Sequence, residues 1–258
     1  MSALAIMSFV LLGGVAGALS GLLGIGGGVI LVPCLVFLFG LSQHLAQGTT
    51  LALMVPPIGL AAAYTYYKNG YVDLRIAGLI CLGFSIGGWI GAILAESLSN
   101  TELEHIFAGA LILIALKMLL SRENPSKEQP PNSPKRVISI LAASLFVLLG
   151  LLGGIFSGLL GIGGGVIIVP SLVFLFRLSQ HEAQGTTLAL MVPPIGLLAT
   201  WQYYQKGNVD IGIGLLICIG FFIGALIGAK LAANMSSRLL SRTFGLAMLL
   251  VAFKMLFF

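Results

Sequence analysis

Long apolar runs dominate the chain, and polar residues are confined to the short stretches between them. Eight of these runs reach or approach the roughly 18–20 residues that a helix needs to cross a bilayer. They cover residues 4–22, 49–66, 76–94 and 103–120, and then 138–156, 186–203, 211–231 and 239–257. The pattern predicts an all-α polytopic membrane protein.

The apolar pattern occurs twice, with an offset of 137 residues. Residues 20–60 and 157–197 are identical at 37 of 41 aligned positions. We therefore divide the chain into three parts, which are a first transmembrane repeat (1–120), a linker (121–136) and a second transmembrane repeat (137–258). The linker is polar and rich in proline, which is typical of a flexible connection.

Equivalent loops of the two repeats carry opposite charges. The residues concerned are Glu96, Glu102 and Glu104 in the first repeat, and Lys230, Arg238 and Arg242 in the second. Because Lys and Arg accumulate on the cytoplasmic side of a membrane, we expect the two repeats to have inverted topology. The basic linker is expected in the cytoplasm. Inverted repeats are common in secondary transporters, whose substrate site lies near the bilayer midplane.

A glycine-rich motif, GLLGIGGG, interrupts each repeat at 21–28 and 158–165. The apolar stretch 29–40 that follows has 12 residues, about 18 Å of helix, which is too short for a hydrocarbon core of about 30 Å. We therefore expect a helical hairpin with its tip inside the membrane. The predicted arms are 8–21 and 29–40 in the first repeat, and 144–158 and 166–177 in the second. Each repeat then has one glycine-tipped hairpin and three spanning helices.

Backbone amides at these tips are candidate ligands for an anion. The residues are Gly26, Gly27 and Gly28, with Gly163, Gly164 and Gly165 in the second repeat. Glycine allows close approach of the backbone to a ligand, and a helix N-terminus attracts negative charge. Close packing of helices is the alternative explanation for the glycines.

A second repeated motif, QGTT, precedes each predicted span at 49–66 and 186–203. Its members are Gln47, Thr49 and Thr50, with Gln184, Thr186 and Thr187. We expect Thr49 or Thr50 to cap the following helix. The motif therefore predicts either capping alone or capping together with contact between the glutamine amide and an oxyanion.

Proline pairs in the repeated MVPPIG motif are expected to kink or unwind the helix that contains them. These are Pro56 and Pro57, with Pro193 and Pro194. Pro33 and Pro170 lie early in the returning hairpin arms, so we expect regular helix to begin only there. The kinks either serve gating or reflect packing. His44 and His181, at interfacial turns, are either structural or carry a coupled proton.

Other polar and aromatic residues are expected near the membrane surface. Asp73 and Asp210 are predicted to start helices there. Six aromatic residues fit an interfacial belt, namely Tyr64, Tyr66, Tyr67, Trp201, Tyr203 and Tyr204.

Composition and motifs argue against several other functions. Charged residues make up only 8% of the chain and the net charge is +5, which membrane orientation explains without nucleic acid. We find neither a catalytic triad nor ligand spacing for a metal. The expectation is thus a protein that is not an enzyme, with no cofactor and no metal.

The glycine motif followed by VP, given twice with HxAQGTT after it, resembles the TauE/SafE family of sulfite exporters. The resemblance covers both repeats and implies a secondary carrier in the cell inner membrane for a small sulfur-containing anion, such as sulfite or a sulfonate like sulfoacetate. A passive anion channel and a non-transporting membrane scaffold are the alternatives. The anion, the direction of transport, the coupling ion and homo-oligomerisation stay open.

Overall fold

The computed structural model describes residues 3–23, 26–57, 60–120 and 138–231, together with 249, 252 and 253. These residues form eleven principal α-helices and no β-strand. The first repeat contains α1 (Ala3–Leu23), α2 (Gly28–Phe37), α3 (Gln43–Leu53), α4 (Leu60–Lys68), α5 (Leu74–Glu96) and α6 (Asn100–Leu120). The second contains α7 (Ile140–Leu160), α8 (Gly165–Phe174), α9 (Gln180–Leu190), α10 (Leu197–Gln205) and α11 (Ile211–Leu231). The predicted all-α fold is confirmed.

The sequence duplication extends to the local structure. Helices α7 to α10 begin and end at the positions that align with the ends of α1 to α4. The predicted linker 121–136 and most of the predicted last span 239–257 lie outside the described residues.

Four of the described helices are long and apolar enough to cross a membrane. They are α1, α5, α7 and α11, with spans of 18 to 23 residues. A span of 20 residues is about 30 Å of helix, which matches the thickness of the hydrocarbon core. The chain is therefore a multi-pass membrane protein.

The predicted spans 49–66 and 186–203 are not single helices, and this correction follows from the proline pairs. In the first repeat α3 ends at Leu53 and α4 begins at Leu60. Proline has no N–H to donate and its ring clashes with the preceding turn, so two consecutive prolines in MVPPIG end the helix. Each run is thus two short helices separated by a break.

The glycine-tipped hairpin is present, but its helices differ from the predicted arms. Helix α1 extends to Leu23, and α2 begins at Gly28 with Pro33 inside it. The expected helix start at Pro33 is therefore wrong, as is the equivalent start at Pro170 inside α8. A proline so near the N-terminus deprives only one early carbonyl of its partner. The rings of Phe9 and Phe39 stack with centroids 4.3 Å apart, which places the start of α1 beside the end of α2.

Serines, and not the QGTT threonines, cap α3 and α9. Ser42 Oγ accepts a hydrogen bond from the backbone N–H of Leu45 (3.3 Å). Ser179 forms the same cap on α9, with Glu182 completing a capping box. The predicted caps at Thr49 and Thr50 are wrong because the helix starts about two turns earlier.

Asp73 starts α5, as the sequence predicted. Its carboxylate accepts hydrogen bonds from the backbone N–H groups of Arg75 (3.0 Å) and Ile76 (3.4 Å) and forms an ion pair with the Arg75 guanidinium (2.9 Å). Partial burial acts to raise the pKa of Asp73, but these hydrogen bonds and the Arg75 charge outweigh it and leave the pKa below its ordinary value.

Four long helices pack in pairs that join the two repeats. Helix α1 packs along α11, and α5 packs along α7, so each pair joins one helix from each half. Glycines make these contacts close. A β-carbon at Gly87 would collide with the backbone carbonyl of Leu151, and one at Gly224 would collide with that of Gly14. Small residues that let helix backbones touch are the usual basis of tight packing in membranes.

We predict that Gly87→Val lowers the thermal denaturation midpoint of the purified protein in detergent. Valine must push α5 away from α7, and such overpacking costs about 1–3 kcal/mol. Gly78→Val, on the same helix, is the matched control, because a β-carbon there meets nothing within 4 Å. Equal midpoints for the two variants would contradict the packing described here.

Candidate functional site

In each repeat, glycines with positive φ lie between a long helix and a short one. Gly26 has φ +78°, and Gly161 and Gly163 have φ +68° and +71°. This left-handed region is open to glycine but strained for residues with a β-carbon. The turn lets the chain reverse and begin α2 or α8 within a few residues.

The tips of the two repeats lie against each other. A β-carbon at Gly26 would lie 3.7 Å from the Cα of Gly163, and one at Gly28 would collide with the backbone of Gly161 and Ile162. Both tips are buried. The structure thus brings together the predicted residues Gly26–28 and 163–165. In this conformation an anion does not fit between Gly26 and Gly163 themselves.

Aromatic rings explain part of the glycine requirement. A β-carbon at Gly27 would collide with the ring of Phe221, and one at Gly164 would collide with the ring of Phe84. Each ring comes from the other repeat. Close packing, the alternative considered from the sequence, therefore accounts for Gly27 and Gly164 whether or not a ligand binds.

The helices that start at the tips have uncapped, buried N-termini. Gly27 and Gly164 are the N-cap residues of α2 and α8, and neither helix end has a side-chain cap among the described residues. The N–H groups of Gly165 and Val166 have no hydrogen-bond partner among the described residues. Orphan N–H groups at a helix start are normally satisfied by side chains, water or a ligand. Two positive helix ends thus face the same buried region.

One face of α3 covers the tip of the second repeat. A β-carbon at Gly161 would lie 2.8–3.1 Å from the Cα, Cβ and Cγ atoms of Gln47, and one at Gly163 would lie 2.6 Å from Cε of Met54. Reciprocally, Met191 at the end of α9 contacts Gly26. The QGTT helix of each repeat therefore rests on the glycine tip of the other.

Two buried tyrosines hold the motif glutamines. The Tyr203 hydroxyl lies 3.1 Å from Oε1 of Gln47, and the Tyr66 hydroxyl lies 3.2 Å from Oε1 of Gln184. Tyr66 is 4% exposed and Tyr203 0%, so their predicted place in an interfacial belt is wrong. Correspondence between the repeats does not separate them from their neighbours, because the exposed pair Tyr67 and Tyr204 corresponds equally well.

The four threonines of the motifs have different partners. Thr49 Oγ1 accepts a hydrogen bond from the N–H of Asp210 (3.0 Å), and Thr186 Oγ1 accepts one from Asp73 (3.2 Å). Both bonds join the repeats. The Thr50 hydroxyl donates to the Ala46 carbonyl within α3 (2.8 Å). The Thr187 hydroxyl, at the position equivalent to Thr50, has no hydrogen-bond partner among the described residues.

Several buried polar atoms near the tips have no partner among the described residues. They include one amide position of Gln47, the Ser157 hydroxyl and the Thr187 hydroxyl. Thr187 lies one helical turn before Met191 and so on the same face of α9. A buried polar group without a partner is unfavourable, and such groups mark where a ligand or water is needed.

The two histidines occupy different surroundings away from the tips. Nδ1 of His44 lies 2.7 Å from Oδ1 of Asn100, and Nε2 lies 3.0 Å from the carbonyl of Ala95. His181 packs against the ring of Tyr71, with centroids 5.2 Å apart. Both nitrogens of His44 thus face acceptors.

The six candidate prolines divide into two groups. Pro33 and Pro170 lie inside α2 and α8. Pro56, Pro57, Pro193 and Pro194 lie in the breaks that follow α3 and α9. A gating role for either group remains a prediction.

A cavity of about 260 Å³ opens between α3, α10 and α11. It is lined by apolar residues such as Val55, Leu197 and Trp201 and does not include either glycine tip. Thr200, Trp201 and Tyr204 bear polar groups, but the surface that lines the cavity is almost entirely apolar and does not suit an anion.

Comparison with known proteins identifies the family. A family model described as "Sulfite exporter TauE/SafE" matches residues 9–255. The chain belongs to the TauE/SafE family. It is similar to the probable membrane transporter protein YdhB of Bacillus subtilis, with 31% identity over 79% of this chain and 81% of that protein. A probable membrane transporter protein of Xylella fastidiosa strain 9a5c is 30% identical over 81% and 77% of the two chains. No solved structure gives a significant match.

We predict that Gly164→Ala destabilises the protein by about 1–3 kcal/mol through collision with the Phe84 ring. Phe84→Leu removes the ring, so adding Gly164→Ala to that variant should cost much less stability than Gly164→Ala costs in the native protein. The coupling is measured as a double-mutant cycle of denaturation midpoints. Additive effects would show that Gly164 is required for another reason.

Proposed function

We propose that this TauE/SafE protein is a secondary transporter that moves a sulfur-containing anion across the cytoplasmic membrane by alternating access at the interface of two inverted repeats. The observation that carries the proposal is the meeting of two buried, uncapped helix N-termini, one from each repeat. The names of similar proteins, which are probable membrane transporters, support the same class of function.

The chemistry of the tips suits an anion. Convergent N–H groups and the positive ends of two helices favour negative charge. Gln47 and Thr187 add neutral polar groups close to the tips, and the contacts given above for the tips involve no lysine or arginine. Neutral donors bind an anion less firmly than a buried full charge would, and a carrier must release what it binds. Sulfite and sulfonates, such as sulfoacetate, present three oxygens to such donors.

Movement of one repeat against the other would expose the site to each side in turn. The contact between Gly26 and Gly163 implies that the tips separate when the anion binds. The loops that contain Glu102 and Lys230 carry opposite charges, which supports inverted topology with the linker 121–136 in the cytoplasm. His44 and His181 are the candidates for a coupled proton, and the breaks at Pro56 and Pro193 are candidates for hinges.

We predict that Thr187→Val weakens sulfite binding about tenfold or more, because a hydrogen bond to a charged ligand contributes about 1.5–3 kcal/mol. Protein stability without ligand should not fall, since the hydroxyl has no partner among the described residues. Thr50→Val is the matched control from the other repeat, and its affinity for sulfite should stay close to that of the native protein. Isothermal calorimetry and thermal shift measure the two quantities.

If the native protein binds neither sulfite, methanesulfonate nor sulfoacetate, the proposed substrate class is wrong. Equal losses in Thr187→Val and Thr50→Val would remove Thr187 from the site.

We also predict counterflow in proteoliposomes. Unlabelled sulfite or sulfonate trapped inside should accelerate uptake of the labelled anion, because a carrier returns faster when it is loaded. Gly163→Val, which blocks the tip contact with Gly26 and Met54, should abolish uptake, with insertion checked by protein recovery in the vesicles. Uptake that neither saturates nor responds to trapped substrate would indicate a channel.

A further inference from the structure

Gln47 and Gln184 occupy the same position of the QGTT motif, but the tyrosines that contact them have different hydrogen-bond partners. The Tyr203 hydroxyl has two neighbours, the Gln47 amide at 3.1 Å and the backbone carbonyl of Gly158 at 3.0 Å. The Tyr66 hydroxyl lies against Gln184 at 3.2 Å and has no second acceptor among the described residues. The difference is significant because the two tyrosines occupy equivalent positions in the repeats.

Proton counting fixes the orientation of the Gln47 amide. A tyrosine hydroxyl has one proton, and a backbone carbonyl can only accept. The hydroxyl therefore donates to Gly158, and Gln47 satisfies it best by donating its NH₂ group to the phenol oxygen. The two ends of a glutamine amide have the same shape, so hydrogen bonding decides which atom lies where. The Tyr66 hydroxyl donates to the carbonyl oxygen of Gln184.

This orientation places the Gln47 carbonyl oxygen where no partner exists among the described residues. The amide atom of Gln47 that does not face Tyr203 is buried and has no hydrogen-bond partner among the described residues, and the residue is 0% exposed. Its side chain packs on Gly161, in the tip of the second repeat. The Ser157 hydroxyl, next to Gly158 in sequence, is also buried without a partner. The buried region beside this tip therefore contains an unsatisfied acceptor as well as donors.

We propose that Gln47 is a specificity-determining residue that selects anions carrying a hydrogen-bond donor of their own, such as a hydroxyl group beside a sulfonate or the O–H of a singly protonated oxyanion. The proposal rests on the proposed function, because it assumes that the anion binds at the tips. An anion without a donor leaves the Gln47 carbonyl unpaired, and an unpaired buried acceptor discriminates strongly between ligands. Tyr203 acts as a positioning residue that keeps the amide from turning.

The test measures binding of three sulfonates of equal charge to the full-length protein in detergent. Isethionate carries one hydroxyl, ethanesulfonate carries none, and propanesulfonate controls for size. Calorimetry should show isethionate binding about tenfold more tightly than either of the others. In Gln47→Met, which removes the acceptor at similar volume, the ratio should fall to about one. In Tyr203→Phe the amide is free to turn, and the ratio should fall in the same way. Tyr66→Phe is the matched control and should retain the preference.

Different results overturn different claims. Equal binding of the three sulfonates by the native protein, or an unchanged ratio in Gln47→Met, would overturn the role of Gln47 and leave the proposed function intact. Absence of binding by all three and by sulfite would overturn the proposed function and this inference with it. Should Tyr203→Phe fail to fold, Gln47→Met alone decides.

Discussion

A helix that stops inside a membrane leaves polar backbone groups that lipid cannot satisfy, and this constraint governs the arrangement of the protein. Helices α2 and α8 both begin at buried glycine tips. Each tip is covered by elements of the other repeat, with Phe221 against Gly27 and Phe84 against Gly164. Each repeat thus helps to shield the tip of the other. The exchange of α1 onto α11 and of α5 onto α7 provides that shield.

Near-identical sequences in the two repeats do not give identical chemistry. Thr50 satisfies its hydroxyl within α3, whereas the hydroxyl of Thr187 has no partner among the described residues. The hydroxyl that holds Gln47 has an additional acceptor, Gly158. Small differences in the surrounding helices therefore change the environment of conserved-looking positions. In the proposed alternating-access mechanism, the two repeats would differ in any one conformation and exchange roles at each turnover.

The sequence correctly predicted several features that depend on local patterns. Apolar runs predicted an all-helical membrane protein, and Asp73 was recognised as a helix start. The proline pair at Pro56 predicted the disruption after α3. These features depend on neighbouring residues alone, and hydropathy and backbone chemistry report them directly.

Some errors were local, namely the helix starts before Pro33 and Pro170 and the caps at Ser42 and Ser179. Others arose where the other repeat supplies the partner. The polar residues Gln47 and Thr49 resembled a helix start because buried polar groups are rare inside apolar helices. In the structure they lie within α3, and their partners are Tyr203 and the backbone of Asp210, over 150 residues away in sequence. A single sequence contains no direct signal for such distant pairs. The only available signal was that the polar residues of the motif and the aromatic residues after it recur with the same offset.

No described residue places a buried full charge near the tips, and this bears on how the proposed carrier would work. A lysine there would remain charged in the empty state and would need to cross the low-dielectric region without its counterion, which is costly. Helix ends and amides are different, because they carry only partial charges, which water can compensate when the anion leaves. The direct contact of Gly26 with Gly163 fits this account. The empty tips can close on one another because no net charge keeps them apart beyond the repulsion of two helix ends, and an arriving anion converts that repulsion into attraction.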